Sequence, residues 1–428
     1  MAVLFPLFRA AAFALIAAGV APSWAADPLT LAEALRIAVS RSPQLQAHQA
    51  LAIAARGQAV AAGQLPDPVL RLGIDNLPVD GPDRGSLARD FMTMRRIGVM
   101  QEIPRAEKRQ IRAEKFEREA ERIQAQRQQT LAGVQQSTAL AWLDRYYAQA
   151  QRALQLEQLD ETRLQVQAAD VAFRTGRGSQ SDVFAARAAV IVQQDHLSQI
   201  DRQSRSAGLM LARWVGGDVA GRPSAGPPDW QSTPLQGVVL SEHLDRHPDL
   251  RVIRAEIDAA EADARLAQAN KKSDISVEAS YAQRGPAFSN MLSIGVSIPL
   301  QWDPKNRQDR ELGAKLALVD EAKARHEDML RKKEAEVGSL LDEWQTGKDR
   351  LARFRDALIP AARQRTEAML IAYRTGQSDL AAGLLARRDE IDVRMQALNL
   401  EMEIARSWAQ LNFLIAEPQL STPAKDQP

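Results

Sequence analysis

The chain has 428 residues and contains no cysteine. This absence excludes disulfides, thiolate metal sites and cysteine nucleophiles, together with the cysteine-borne lipid anchor of some secreted proteins. Aromatic residues are also scarce, at 5% of the chain, whereas charged residues make up 25%. This composition is lean for a compact globule of such length and favours long helices whose apolar face is a narrow stripe.

The chain also lacks an excess of charge of either sign, with 55 Lys and Arg against 54 Asp and Glu. No overall field therefore recruits nucleic acid. The five histidines are scattered, and neither a Gly-x-Ser-x-Gly elbow, a His-Glu-x-x-His motif nor a phosphate loop occurs. His243 and His247 have the spacing of helical metal ligands, but Pro248 ends any helix there. We therefore expect no enzyme, no cofactor, no metal site and no nucleic-acid partner.

Residues 1–25 have the pattern of a secretory signal peptide. Arg9 precedes an apolar stretch from Ala10 to Val20, and small residues follow at Ser23 and Ala25. The apolar stretch is shorter than the roughly 20 residues of a membrane-spanning helix. We expect cleavage after Ala25 and export to the periplasm. After this segment, the sequence has no apolar run long enough for a spanning helix.

The rest of the chain is a tandem duplication. Ala172 to Gly176 returns as Ala372 to Gly376, and Ile97 to Val99 returns as Ile294 to Val296. Between the halves lies a segment rich in Gly and Pro, which predicts an irregular linker. The predicted divisions are a first repeat at 26–216, the linker at 217–237, a second repeat at 238–418 and a polar tail at 419–428.

Each half is expected to begin with a helical stretch, at Leu29 to Gln64 and at Val238 to Asn270. Each continues through two strands into a very long helix. The first long helix, 105–172, lacks proline and would be about 100 Å long at about 1.5 Å per residue. The second, about 306–373, contains Pro360, which should kink it. The two helical hairpins should therefore differ in shape.

Four short segments have the alternation of apolar and polar residues that is typical of strands with one apolar face, although Phe91 to Ile103 breaks it around Arg95 and Arg96. The predicted strands are about 69–76, 91–103, 275–283 and 290–300. Their lengths suit tilted strands in a membrane. Four strands cannot close a barrel, and open strand edges cannot lie in lipid. Several copies of the chain are therefore expected to share one barrel.

These features together resemble the TolC family of outer-membrane efflux channels. The resemblance covers Leu29 to about Glu417 and depends on the Phe173 to Gly176 and Tyr373 to Gly376 turns, on Ile294 to Leu300 and on the duplication. It implies a mainly α chain with a small membrane β part, which forms a homotrimer. The trimer has a twelve-stranded barrel in outer-membrane lipid and a periplasmic tunnel of long α-hairpins. It would be a passive exit duct whose tips dock a periplasmic adaptor protein and an inner-membrane RND-type pump.

The two turns that end the long helices are the candidate gate. The turns are expected at 174–181 and 374–378, the second shorter than the first. By the resemblance, Asp379 lines a constriction at the tip, with Tyr373 and Arg374 beside it. Tyr373 would bond to Asp182 and help to hold the tips shut. The family's second acidic position falls on Ala382 in this sequence.

The exported compound is left open by the sequence. Gly73 to Pro78 and Gln101 to Pro104 are similar to segments of the heavy-metal cation efflux members. Met92, Met94 and Met100 lie nearby, and thioethers suit Cu(I), although the same methionines also fit as ordinary barrel side chains. The alternative functions are a periplasmic adaptor with a helical hairpin and the outer-membrane component of a type I secretion system.

Overall fold

The computed structural model describes residues 27–235 and 240–415. The helices and strands of the first half are α1 (Leu31–Arg41), α2 (Pro43–Ala62), β1 (Val69–Asp75), β2 (Met94–Ile103), α3 (Ala106–Arg174), α4 (Gln180–Val215) and α5 (Gly217–Ala220). Those of the second half are α6 (Leu240–Leu244), α7 (Pro248–Ala269), β3 (Ile275–Gln283), β4 (Met291–Ser297), α8 (Gln308–Arg353), a π-helical turn (Phe354–Leu358), α9 (Ile359–Arg374) and α10 (Leu380–Asn412). The prediction of a mainly helical chain with a small sheet is confirmed. The predicted signal peptide and polar tail lie outside the described residues.

The predicted helical stretch that opens each half consists of two helices, which are divided at a proline. Pro43 and Pro248 are the first residues of α2 and α7. A proline at this position loses no hydrogen bond, because the first N–H groups of a helix have no partner within the helix. Inside a helix the same ring would remove a bond and clash with the preceding turn. The chain therefore ends α1 and α6 before the prolines and starts a new helix at each.

Helix α3 runs unbroken for 69 residues and packs against α2, α4, α7 and α10. Its length is about 100 Å at about 1.5 Å per residue. Near the middle of α3, the main hydrophobic core includes the buried residues Trp142, Leu143 and Tyr147. Helices from both halves of the duplication therefore pack against α3.

The second long helix differs from α3 near Pro360, as the sequence predicted. Pro360 is the second residue of α9, and the π-helical turn Phe354–Leu358 comes directly before it. At the end of this turn the N–H of Ile359 donates to the carbonyl of Phe354, five residues back. The wider turn accommodates a residue that cannot donate to the residue four positions earlier. The first half has regular α-helix throughout α3.

The four strands form one antiparallel sheet in the order β1-β2-β3-β4. The two halves meet where β2 pairs with β3, with Ile97 opposite Tyr281 and Gly98 opposite Ser280. A Cβ added at Gly98 would lie 2.8 Å from the Cβ of Ser280, so this crossing requires glycine. Within the described residues, β1 and β4 each have one unpaired edge.

Tryptophan side chains of the helices hydrogen-bond to the backbone of the linker. The Trp344 indole donates to the carbonyl of Trp230 at 3.0 Å, and the Trp408 indole donates to the carbonyl of Ser232 at 2.9 Å. Trp142 likewise donates to the carbonyl of Leu29, which forms a parallel bridge with Ser224. The linker also contains the short helix α5. The apolar core therefore lies midway along the long helices, where the linker crosses them.

The helices next to the sheet form a row. Helix α2 packs on α3, α3 on α7, and α7 on α8. This order matches the strand order, because each of these helices precedes or follows one strand. At the other end of α3 the row is α4, α3, α10 and α9. In the described ranges, none of the helices combines the length and the apolar character needed to cross a membrane.

Candidate functional site: the amphipathic sheet and the hairpin turns

One face of the sheet is apolar and exposed. The cross-strand pairs Leu72 with Ile97, Ile97 with Tyr281, and Tyr281 with Leu292 place these side chains on the same face. Leu72 is 72% exposed and Ile294, on the same face, is 74% exposed. The other exposed apolar members are Leu70, Ile74, Val99, Ile103, Ile275 and Val296. Monomeric soluble proteins rarely expose an apolar surface of this extent.

The opposite face of the sheet is polar and crossed by ion pairs. The Arg71 guanidinium lies 2.9 Å from the Glu278 carboxylate, which joins β1 to β3 across β2. The Arg96 guanidinium lies 3.1 Å from the Asp75 carboxylate and 4.0 Å from that of Glu278. The sheet is therefore apolar on one side and charged on the other.

The methionines named in the sequence analysis, Met92, Met94 and Met100, do not all lie in the same part of the sheet. Met94 and Met100 lie on the polar face, since they pair with Asp75 and Val69 in the register of β1 with β2. A guanidinium nitrogen of Arg71 lies 3.0 Å from the Met100 sulfur. Met92 precedes β2 and is exposed. The three side chains therefore do not share one face of one strand.

The two turns that connect the long helices have the same geometry. Gly176 and Gly376 have positive φ angles of 71° and 75°, which non-glycine residues rarely adopt. Ala172 and Ala372 each accept two N–H bonds from the residues after these glycines. Both turns span five residues, 175–179 and 375–379. The expectation of a shorter second turn is wrong.

The equal lengths follow from how each return helix is capped. Ser179 is the N-cap of α4; its hydroxyl accepts from the Asp182 N–H at 3.2 Å, and the Asp182 carboxylate accepts from the Ser179 N–H at 2.8 Å. These backbone and side-chain hydrogen bonds lower the pKa of Asp182. Asp379 is itself the N-cap of α10 and accepts from the Ala382 N–H at 2.8 Å. The counterpart of Asp379 is therefore Ser179, and Asp182 corresponds to Ala382.

The other candidate gate residues lie at the second turn. Tyr373 and Arg374 end α9 and are exposed. Among the described residues of one chain, Tyr373 and Asp182 make no hydrogen bond with each other. The Asp182 carboxylate accepts from the Ser179 N–H, within its own turn. The gate assignment stays a prediction.

His243 and His247 do not lie on one helix. His243 belongs to α6, and His247 is the N-cap of α7, where its Nδ1 accepts from the Asp249 N–H at 3.1 Å. Burial lowers the pKa of His247, and the nearby Lys333 adds to this. Within residues 27–235 and 240–415, no cluster of three His, Asp or Glu side chains could hold a metal ion.

Two polar links, one partly buried and one buried, were not predicted from the sequence. The Glu157 carboxylate on α3 accepts from Arg387 at 2.7 Å and from Arg394 at 2.9 Å, both on α10. Beneath the sheet, the Lys108 ammonium lies 3.0 Å from the Asp274 carboxylate. Partners 166 to 237 residues apart give no local signal in a sequence.

Comparisons with known proteins agree with this geometry. Residues 239–417 match the family described as Outer membrane efflux protein. No curated protein matches the chain. The fold is similar to that of the outer-membrane channel OprN, at 19% identity and a TM-score of 0.75, with 90% of each chain covered. It is also similar to CusC, at 16% identity and a TM-score of 0.72, which covers 90% of this chain and 92% of that one.

A third similar structure is the open state of the MtrE outer-membrane channel of Neisseria gonorrhoeae. The identity is 16% and the TM-score 0.71, with 90% of this chain and 88% of that chain covered. The second half of the chain thus matches an outer-membrane efflux family in sequence, and nearly the whole chain has the fold of these channels.

Proposed function

We propose that this chain is the outer-membrane channel of a tripartite efflux system. It is a passive exit duct, not an enzyme, and an inner-membrane RND-type pump supplies its cargo through a periplasmic adaptor. The observation that carries the proposal is the sheet, whose apolar face is exposed and whose outer strands, among residues 27–235 and 240–415, are unpaired at one edge.

The apolar face fits lipid. Exposing it to water is unfavourable by about 25 cal/mol for each Å² of apolar surface. Hydrocarbon removes that cost, but it cannot hydrogen-bond the free N–H and C=O groups at the edges of β1 and β4. Those edges must pair with each other, which requires further copies of the chain.

The ring closes head to tail. β1 and α2 stand at one end of their rows, and β4 and α8 stand at the other end. The β1 edge of one copy therefore meets the β4 edge of the next, and α2 meets α8 below it. Such a heterologous contact generates a ring when its rotation closes, and lipid requires this closure because an open chain of copies would leave free strand edges. By the family resemblance the ring has three copies, which gives twelve strands, and the charged sheet face lines the lumen.

The hairpin turns form the periplasmic gate of this duct. Asp379 and Asp182 are exposed at the turns, and three copies would bring rings of carboxylates together. Like charges at short distance repel each other and attract cations. Tyr373 and Arg374 lie beside the Asp379 ring and contribute to closure. The Asp379 carboxylate also caps α10, and the Asp182 carboxylate accepts from the N–H of Ser179, the N-cap of α4. Capping and gating therefore act through the same carboxylates.

Cargo selection lies with the pump, and heavy-metal cations are one possible cargo class. Met94 and Met100 face the lumen in this arrangement, but Met92 lies outside the strands. Replacing all three with leucine is expected to leave resistance intact. Loss of metal resistance at normal expression, with export of other compounds kept, would instead assign the methionines to a metal path.

Cell fractionation tests the architecture. The protein should be found in the outer-membrane fraction and migrate as a heat-sensitive trimer on native gels. A monomeric species in the soluble periplasm would contradict the proposal. An adaptor would also fail this test, because it would not form a barrel in the outer membrane.

A further inference from the structure

The segment between β4 and α8 is longer than its counterpart in the first half. In the first half, two residues separate Ile103 at the end of β2 from Ala106 at the start of α3. Ile103 corresponds to Leu300 by the spacing of the Ile97 and Ile294 repeats, and α8 begins only at Gln308. This connection, residues 301–307, is thus longer than its counterpart, and part of it is an addition, since the repeat offset grows from 197 at Leu300 to 200 at Ala372.

This longer segment carries a highly exposed tryptophan. Trp302 is 87% exposed, whereas Trp142, Trp230, Trp344 and Trp408 are all buried. In the sequence, Trp302 continues the alternation of Ile294, Val296, Ile298 and Leu300, of which Ile294 and Val296 lie in β4 on the apolar face of the sheet. The segment is held in place, because the Ser273 hydroxyl donates to the Pro299 carbonyl at 2.6 Å and the Gln301 amide donates to the Asn270 carbonyl at 3.1 Å.

Basic side chains follow Trp302. Lys305, Arg307 and Arg310 are exposed, and in the part of the chain that the structure describes none of them has an ion-pair partner. Of the three nearby acids, Glu311 is exposed and makes no ion pair in the part of the chain that the structure describes, whereas the other two are engaged elsewhere. Asp309 lies 2.7 Å from the Lys271 ammonium, and Asp303 accepts from the backbone and amide of Asn306. The segment therefore presents free positive charge next to an exposed indole.

We propose that Trp302, Lys305 and Arg307 form a binding site for the headgroup phosphates of anionic phospholipids in the periplasmic leaflet. The inference depends on the proposed membrane position of the sheet. Indole rings favour the boundary between hydrocarbon and headgroups, and Lys and Arg extend their charged ends toward phosphate there. Phosphate oxygens supply the acceptors that these unpaired cations lack.

The dimensions of the apolar band agree with this position. Tyr281, on the same face, pairs with Leu292 at the far end of the sheet, and its hydroxyl accepts from Asn290 at 2.7 Å. From Leu292 to Trp302 the chain advances ten residues, of which the steps to Ser297 lie in β4, so the distance is at most roughly 33 Å at about 3.3 Å per residue. At a strand tilt of about 40° this gives a height of at most about 25 Å, which is the usual height of the apolar band in such barrels. Tyr281 and Trp302 would then mark its two borders.

Quenching of tryptophan fluorescence by brominated lipids tests the site directly. The assembled protein is reconstituted in phosphatidylcholine vesicles that contain a fixed small fraction of lipid brominated near the glycerol end of its acyl chains. Because most other tryptophans are buried, Trp302→Phe should remove most of the lipid-dependent quenching. Brominated phosphatidylglycerol should quench the parent protein more than brominated phosphatidylcholine, with roughly fivefold enrichment for each basic side chain.

The double variant Lys305→Gln, Arg307→Gln should quench equally with both lipids. The variant Arg331→Gln, Lys332→Gln is the matched control, since it removes two exposed charges from α8 far from Trp302 and should behave like the parent. Unchanged quenching in Trp302→Phe, or a phosphatidylglycerol preference that survives loss of Lys305 and Arg307, overturns the site. Neither result affects the channel proposal, which fails instead if the parent protein does not assemble in the outer membrane.

Discussion

Replacing Asp274 with alanine is expected to weaken the junction between the helices and the sheet. Asp274 directly precedes β3, and its carboxylate reaches across to the start of α3. One oxygen lies 3.0 Å from the Lys108 ammonium, and the other accepts from the backbone N–H of Arg105, the N-cap of α3. A single carboxylate from the second half thus caps the long helix of the first half and neutralises its buried lysine.

The expected loss is large because the lysine would stay buried. The Lys108 side chain is only 5% exposed. Removing one partner of a buried ion pair typically costs about 3–5 kcal/mol, because the remaining charge has no compensation. Removing the capping acceptor adds about 1 kcal/mol. The double variant Lys108→Met, Asp274→Ala should recover most of the ion-pair loss, because it leaves no buried charge.

The pair also predicts a pH dependence. Burial alone would raise the pKa of Asp274, but hydrogen bonds from Lys108 and Arg105 and the positive charges nearby outweigh it and lower the pKa. A carboxyl whose folded pKa lies below its unfolded pKa stabilises the protein above the unfolded value. This stabilisation is therefore lost as the pH falls below about 4, through the lowered folded pKa.

Urea-induced unfolding of the detergent-solubilised protein, followed by circular dichroism, measures the free energy of unfolding for each variant. Lys272→Met is the matched control, because Lys272 also joins the β3 side to α3 through Glu107, but both side chains are more than half exposed. An exposed pair of this kind contributes about 1 kcal/mol or less. If Asp274→Ala costs no more than Lys272→Met, the argument that this junction depends on a buried charge is wrong.

Three further outcomes are expected. Because burial lowers the pKa of His247 from its ordinary 6.5, the free energy of unfolding of the parent protein should fall as the pH drops below that value. The variant His247→Asn keeps a capping oxygen, and its free energy of unfolding should change less between pH 7 and pH 5. Gly376→Ala should destabilise the second turn by about 1 kcal/mol in thermal unfolding, whereas Gly338→Ala in the open middle of α8 should stabilise by a similar amount. In planar bilayers, Asp379→Asn should weaken cation selectivity or cation block, and Tyr373→Phe should give a leakier channel. If both variants conduct like the parent, these residues only terminate helices and do not form a gate.

The sequence predicted the strands well where one face is apolar, and it misplaced their ends where local hydrogen bonds intervene. β2 begins at Met94 rather than at 91, because the Asp90 carboxylate accepts from the N–H groups of Met92 and Thr93 and removes them from the ladder. β4 ends at Ser297 rather than at 300, just before Pro299, which has no N–H to donate.

The first turn shows a different kind of error. The predicted turn at 174–181 places the start of α4 two residues too late, because α4 begins at Gln180. Ser179 followed three residues later by Asp182 is the reciprocal capping pattern of a helix N-terminus. That pattern was present in the sequence. The link between Glu157 and Arg394, in contrast, depends on the packing of two helices from different halves, which no local pattern encodes.

Engineered disulfides across the open strand edges test the central claim of a closed three-copy ring most directly. The chain has no native cysteine, so pairs with one cysteine on β1, at Leu70 or Leu72, and one on β4, at Ile294 or Val296, can be scanned without background. After oxidation in outer-membrane fragments, at least one pair should give a ladder of covalent species that ends at three chains. A chain that stays monomeric for every pair, or a ladder that continues beyond three, would contradict the ring.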